Sequence, residues 1–227
     1  MVAVVAPPIL VALGRALTAS AWVPVSDLAF LEAKVRDVGG PDTPLTGAYS
    51  RLGFDHPGPL EAWVIAPLAR LWGGDPRAML VAAGAVNLLA GGAALTGANR
   101  RGGRPLVAIT ATALLLLEAA LAPVESNLIA PWTPTVAVLP FVAALLLGWD
   151  TAVGRVRSLP LFVLAATWTM QAHAGYLPVT GVLALGVAVA LGVRTVRGRQ
   201  EWRWRPVVLA AVVGAAAWVG PVVDQVA

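Results

Sequence analysis

The chain has 227 residues, 58% of them hydrophobic and 12% charged, with a mean hydropathy of +0.77. Soluble domains carry about 25% charged residues, so this composition excludes an ordinary soluble domain and places the chain in the polytopic membrane class. The net charge is +4 and cysteine is absent, which removes disulfide frameworks and thiolate metal sites.

Residues 2–21 form the first apolar run. It has no charged leading segment and no clear small-residue cleavage site, so it reads as a retained helix. A loop over 22–76 follows, at about 55 residues far longer than an ordinary connection and therefore expected to be functional. Within it, 26–38 (SDLAFLEAKVRDV) predicts a short helix. Leu28, Leu31, Val35 and Val38 share a face, Glu32 sits four residues before Arg36, and Ser26 or Asp27 caps the start. The stretch GGPDTPLTG must turn, with Asp42 as a turn residue.

Next comes YSRLGFDHPGPLEAW, residues 49–63. It sets Arg51, Asp55 and His56 in a proline-stiffened segment where Pro57 biases His56 to extended backbone. Residues 60–72 place Leu60, Trp63, Val64, Leu68 and Leu71 at helical spacing, interrupted by Glu61, Pro67 and Arg70. A span needs about 20 residues, so this piece is expected to lie on the membrane surface as an amphipathic helix.

Further apolar runs at 77–97, 105–122, 131–148, 158–174, 176–193 and 206–223 bring the expected spans to seven. The expected fold is all-α, a single module over 1–227 with the structured outer loop 22–76 inserted between spans one and two. Charge supports this count. Arg100, Arg101, Arg104, Arg155, Arg157, Arg194, Arg197, Arg199, Arg203 and Arg205 fall on one side, opposed only by Asp150 and Glu201. Most acids, Asp27 to Asp75 with Glu125 and Asp224, fall on the other. The arginine bias makes the N-terminus cytoplasmic and the long loop extracytoplasmic, in a plasma (inner) membrane. Trp132, Trp149 and Trp218 sit near span ends as an aromatic belt. Gly91 and Gly92, among alanines, suit close helix packing. The basic residues track loops and no basic–aromatic platform stands apart from them, so nucleic acid is not an expected partner.

The acid just past the first span, and FDHPGPL leading into a short amphipathic helix, resemble the membrane glycosyltransferases of the GT-C fold. The nearest pattern is that of the protein O-mannosyltransferase and aminoarabinose transferase group. The longer DVGGPDTPLTGAYSRLGFDHPGPLEAW is similar to large actinobacterial membrane proteins of arabinofuranosyltransferase type, associated with cell-wall synthesis. The resemblance covers 20–75 in detail and the other spans in layout. It implies the N-terminal seven-span module of that fold, with a partner chain supplying a missing C-terminal region. It also implies transfer of a sugar, a pentose such as arabinofuranose or a hexose, from a polyprenyl-phosphate donor to a glycan or lipid acceptor at the outer face.

That chemistry needs a carboxylate to take the acceptor's proton and a cation for the leaving phosphate. Asp27 is the first candidate base, its competing role being a helix cap. Asp55 and His56 are the other catalytic candidates, or else a hydrogen-bonded turn that anchors the next helix. Arg51 is the expected phosphate partner. No cofactor is required, the alternative being a divalent cation held by Asp27, Asp55 and His56. Glu118, inside an apolar run, is expected to line a donor cavity with Glu125 and Asn127, or to pair with Arg15. His173, in TMQAHAGYLP at the outer turn, is either a phosphate ligand or a structural partner of nearby Tyr176. Two other classes stay open: a non-catalytic membrane subunit or lipid-binding scaffold, and a small-molecule transporter.

Overall fold

A computed structural model describes residues 2–19, 21–50, 52–121 and 128–226. It is mostly helical, and four helices are long and apolar enough to cross a membrane. The protein is therefore membrane-embedded. Among the described residues the one departure from an all-α chain is a two-stranded hairpin, described below.

Each apolar run of the sequence becomes helical. The first is α1 (Val2–Thr18). The long loop then carries α2 (Asp27–Asp37), β1 (Tyr49–Ser50), β2 (Phe54–Asp55) and α3 (Leu60–Leu71). The continuous helix α4 (Arg77–Leu121) covers two runs and breaks at Gly102 and Gly103, whose backbones are non-helical. Gly103 has φ +56°, a region that glycine enters without steric cost. The chain reverses there, because Asn87 on the first arm donates to the Leu128 carbonyl just beyond the second. The remaining elements are the single turn α5 (Thr133–Val136), α6 (Val138–Ala152), α7 (Leu159–Ala172), α8 (Leu177–Val196) and α9 (Trp204–Asp224).

The core follows from small residues. Gly84 and Gly91 of α4 face Leu13 and Val5 of α1, and Gly97 faces Leu146 of α6. A Cβ at any of them would crowd those side chains, so the glycines set how closely the helices approach. Around them Ile9, Leu80, Leu95, Leu114, Leu139 and Leu147 are buried in one cluster. By contrast α8 and α9 expose Val182, Leu185, Val189, Val208 and Val212. Apolar side chains turned outward along an apolar helix are what a lipid-facing surface requires.

The two polar ends of the bundle are far apart. The first arm of α4 runs from Arg77, beside the long loop, to Arg101, and at 1.5 Å per residue it separates them by about 36 Å. The α1 end lies by the loop too, since Arg77 donates to the Leu17 carbonyl. At the opposite end, buried Asp150 sits 2.9 Å from Arg101, 3.7 Å from Arg100 and 3.8 Å from Arg155. The Ser158 hydroxyl donates to Asp150 at 2.6 Å and accepts from Arg100 at 3.0 Å. One carboxylate thus ties the turn of α4 to the α6–α7 turn.

Replacing Asp150 by Asn leaves three guanidiniums facing one another. Breaking a buried ion pair costs about 3–5 kcal/mol, and the partly exposed arginines reduce that to about 2–3 kcal/mol here. Thermal unfolding in detergent of Asp150→Asn against the parent chain should show the loss. An unchanged midpoint would mean that the cluster holds nothing together.

Candidate functional site

The site is assembled by the long loop folding back on the bundle. The floor is α2 against α3. Leu31 and Val35 pack on Ala62, Ile65 and Ala66, with Met79 and Ala82 of α4 beneath. Of the face expected for α2, Leu31 and Val35 are buried while Leu28 and Val38 stay half-buried. The α3 helix differs from the expected reading in its face. Its buried side is Glu61, Ala62, Ile65 and Ala66. Val64 and Leu71, on the apolar stripe, are exposed. The stripe is therefore split: Leu60, Trp63 and Leu68 pack against the protein, and only Val64 and Leu71 are turned outward, where an apolar surface can rest on lipid.

Above this floor the chain makes a hairpin. Tyr49 pairs with Asp55 and Ser50 with Phe54, with Gly53 at φ +86° in the turn. The ladder continues as His56 N–H donates to the Ala48 carbonyl and Gly47 N–H donates to the His56 carbonyl. Alternation had predicted no strand here, because two-residue strands leave no periodic signal. Lys34 fastens α2 to the hairpin: its Nζ donates to Asp55 at 3.1 Å and to the carbonyl of Gly47. Lys34 was absent from the sequence-derived candidates. Its signal is that it is the chain's sole lysine, seven residues after Asp27 on the same helix.

The turn after the hairpin presses on α7. A Cβ at Gly58 would lie 2.1 Å from the side-chain oxygen of Gln171, so only glycine fits. Gln171 in turn accepts from Leu60 N–H at 3.3 Å and donates to the Ala217 carbonyl at 2.7 Å. One buried amide thus caps α3 and joins α7 to α9. Gln171 was also absent from the candidates, because a glutamine two residues from a histidine has no motif of its own.

His56 is the centre. It is buried, and its Nδ1 accepts from Ala174 N–H at 3.3 Å. The ring proton therefore sits on Nε2, which donates to Thr133 Oγ1 at 3.4 Å. Burial holds the imidazole below its ordinary value. His173 adds to this, whereas Asp27 and Asp55 oppose it. The His173 ring lies 4.7 Å away, centroid to centroid, and Tyr176 meets His173 edge-on at 6.2 Å. His173 Nδ1 accepts from Gly175 N–H. The two histidines, 117 positions apart in the chain, are thereby brought together.

Asp27 approaches from the other side. The N-cap residue before it, Ser26, has φ +52° and makes no side-chain cap bond, so the expected cap is not formed. Ser26 is the one non-glycine residue with positive φ among the described residues, a strained conformation held beside Asp27. Asp27 Oδ2 accepts from Trp132 Nε1 at 3.2 Å. Consecutive residues Trp132 and Thr133 thus hold Asp27 and His56. Trp132, also expected in an aromatic belt, is thereby a partner of the site. Asp55 and His56 also line a groove of about 610 Å³ against the end of α9, with Trp218, Pro221 and Asp224 on its far wall.

Other expectations are corrected or fall elsewhere. Among the described residues no three His, Asp or Glu side chains are grouped to hold a metal ion. Asp27 turns to Trp132, Asp55 to Lys34 and His56 to Thr133, so they do not converge as a ligand set. Glu118 is buried, but it forms no ion pair with Arg15, which is exposed. Neither does Glu118 line the Asp55–His56 groove. Arg51, Glu125 and Asn127 lie outside the described residues. No protein-family model, curated protein or solved structure matches the chain.

Glu61 is a further titratable group that the candidates omitted. It is buried below the hairpin, and burial pushes its carboxyl from 4.5 up to about 8. The folded protein then holds a proton that the unfolded chain releases above 4.5. Stability therefore falls as pH rises from there through about 8, and levels off beyond. Glu61→Gln mimics the protonated form. It should leave the melting temperature at pH 5 near that of the parent and raise stability at pH 9 on the order of a few kcal/mol. Parallel pH–melting curves for the two proteins would refute the burial argument.

Proposed function

We propose that the chain is a GT-C-type glycosyltransferase module. It moves a sugar from a polyprenyl-phosphate donor to a cell-envelope acceptor at the outer face of the plasma membrane. The observation that supports this reading is the meeting of Asp27 and His56 across Trp132 and Thr133, next to an open groove at one end of an apolar bundle. A lipid-linked donor keeps its tail among the helices and offers its phosphate and sugar at such an end. In the proposed topology seven helical segments cross the membrane, with the N-terminus and the arginine-rich turns cytoplasmic.

The division of labour follows from what each group is already bound to. Asp55 is paired with Lys34, so it holds the hairpin. Asp27 is exposed; its Oδ2 accepts from Trp132 Nε1 at 3.2 Å and its Oδ1 accepts only a long bond, 3.5 Å, from the Ser26 hydroxyl, so Oδ1 is the oxygen assigned to take the proton. The acceptor hydroxyl attacks the anomeric carbon as its proton passes to Asp27. The bond from that carbon to the phosphate oxygen breaks, and polyprenyl phosphate leaves. His56 and His173 present neutral rings to the donor, and Arg51 is the proposed phosphate partner.

Asp27→Asn keeps an oxygen for Trp132 and removes the base. General-base catalysis contributes about 10²–10⁴-fold. Purified protein in liposomes with a labelled polyprenyl-phosphate pentose should lose at least a hundredfold in transfer, with its melting temperature unchanged. Equal turnover in both proteins would remove Asp27 from the role. A folded parent chain with no turnover would favour a non-catalytic subunit.

The topology has its own test, made simple by a chain without cysteine. Asp42→Cys should react with a membrane-impermeant maleimide on intact spheroplasts, and Arg199→Cys only after permeabilisation. Labelling of both from outside would overturn the proposed orientation.

A further inference from the structure

At the end of the bundle opposite the candidate site there is a second groove, of about 510 Å³. Three turns build it: the break in α4, the α6–α7 turn and the segment before α9. Arg100, Arg101, Arg155, Arg157 and Arg203 line it, with Glu201. Behind it lies Asp150, fully buried and shared by the first three arginines. The groove therefore holds three more guanidiniums than carboxylates. Among the described residues Arg157 and Arg203 have no carboxylate within ion-pair distance.

A topological excess of arginine needs only basic residues somewhere in the loops. It does not need them to converge on a concavity, where like charges repel. Nor does it need a buried acid and Ser158 to orient two of them. Here the network fixes Arg100 and Arg101 while Arg157 and Arg203 keep their donors free. Planar forks at fixed positions around a cavity match the oxygens of a phosphate ester. Position selects the source. Trp149, Trp202 and Trp204 expose their rings on the segments that flank the groove. Exposed tryptophans mark the headgroup level of a bilayer, and basic pockets between helices at the cytoplasmic surface suit anionic headgroups.

We propose that this groove binds the phosphate of an anionic phospholipid, a phosphatidylglycerol-like headgroup, at the membrane face opposite the candidate site. The assignment stands on different residues from the proposed transferase and does not depend on it.

The test uses the full chain in nanodiscs and measures lipid retention by native mass spectrometry. Phosphatidylglycerol should be retained over phosphatidylcholine by about tenfold in the parent protein. Arg157→Gln/Arg203→Gln, which spares the Asp150 network, should lose most of that preference. Arg197→Gln/Arg199→Gln, in a neighbouring turn that does not line the groove, should keep it. Equal retention of the two lipids, or a preference unchanged in the groove variant, would overturn the proposal. In a phosphatidylcholine-only arm, millimolar inorganic phosphate should give a smaller rise in melting temperature than phosphatidylglycerol. An equal rise would assign the groove to a free anion instead of a lipid.

Discussion

Backbone polar groups buried at the end of a membrane bundle must find partners within the protein, because hydrocarbon offers none. Gly47, Ala48, His56, Gly58 and Pro59, which flank the exposed hairpin tip, are such a backbone, and most of the candidate site follows from how it is satisfied. The hairpin bonds at Ala48, Gly47 and His56 take care of one stretch. Lys34 of α2 supplies donors to Gly47 and Thr46, and Gln171 of α7 accepts from Leu60. Gly47 and Gly58 have no Cβ because the chain passes too close to His56 and Gln171. A loop held at this many points can keep an imidazole in one tautomer. A loop exposed to water could not impose that cost on the ring.

The same requirement explains why α7 is short. Its 14 residues reach about 21 Å, against a hydrocarbon thickness of about 30 Å. Its last turn is polar, with Thr167, Thr169 and Gln171 all buried. These residues spend their hydrogen bonds on neighbours: Thr167 accepts from Trp218, and Gln171 bridges α3 and α9. The helix ends early, and the hairpin turn occupies the space above it. The helices are therefore not equal rods with a lid. One short helix makes room for a loop, and that loop carries Asp27, Asp55 and His56.

Much of this architecture was legible in the sequence. The apolar runs locate the helices because burial in lipid demands long unbroken stretches, and the boundaries agree within a few residues. The loop was legible as structured because its apolar residues recur at helical spacing. Other features left no such signal. The contact between His56 and His173 joins the long loop to the α7–α8 turn, and no local spacing encodes a contact of that range. The roles of Lys34 and Gln171 depend on which face of α2 and α7 meets the turn, which periodicity does not give for short polar helices. Glu61 looked like an interruption of an apolar stripe. It belongs to the opposite, buried face, whose small residues Ala62 and Ala66 carry little hydropathy signal.

Charge on the two ends works by opposite logic. At the loop end Asp55 pairs with Lys34, and Asp27 accepts from the Trp132 indole and, at 3.5 Å, from the Ser26 hydroxyl. Glu61, with no cation, holds a proton instead. The loop end thus carries Asp55, Asp27 and Glu61 in three distinct electrostatic conditions. That is how neighbouring acids are given different tasks. At the opposite end one carboxylate serves three arginines, and among the described residues Arg157 and Arg203 have no ion-pair partner. A bundle that merely oriented itself in a membrane would need the second asymmetry but not the first. The separation of Asp55, Asp27 and Glu61 into an ion-paired, a hydrogen-bonded and a protonated acid is therefore the feature on which the proposed base role of Asp27 draws.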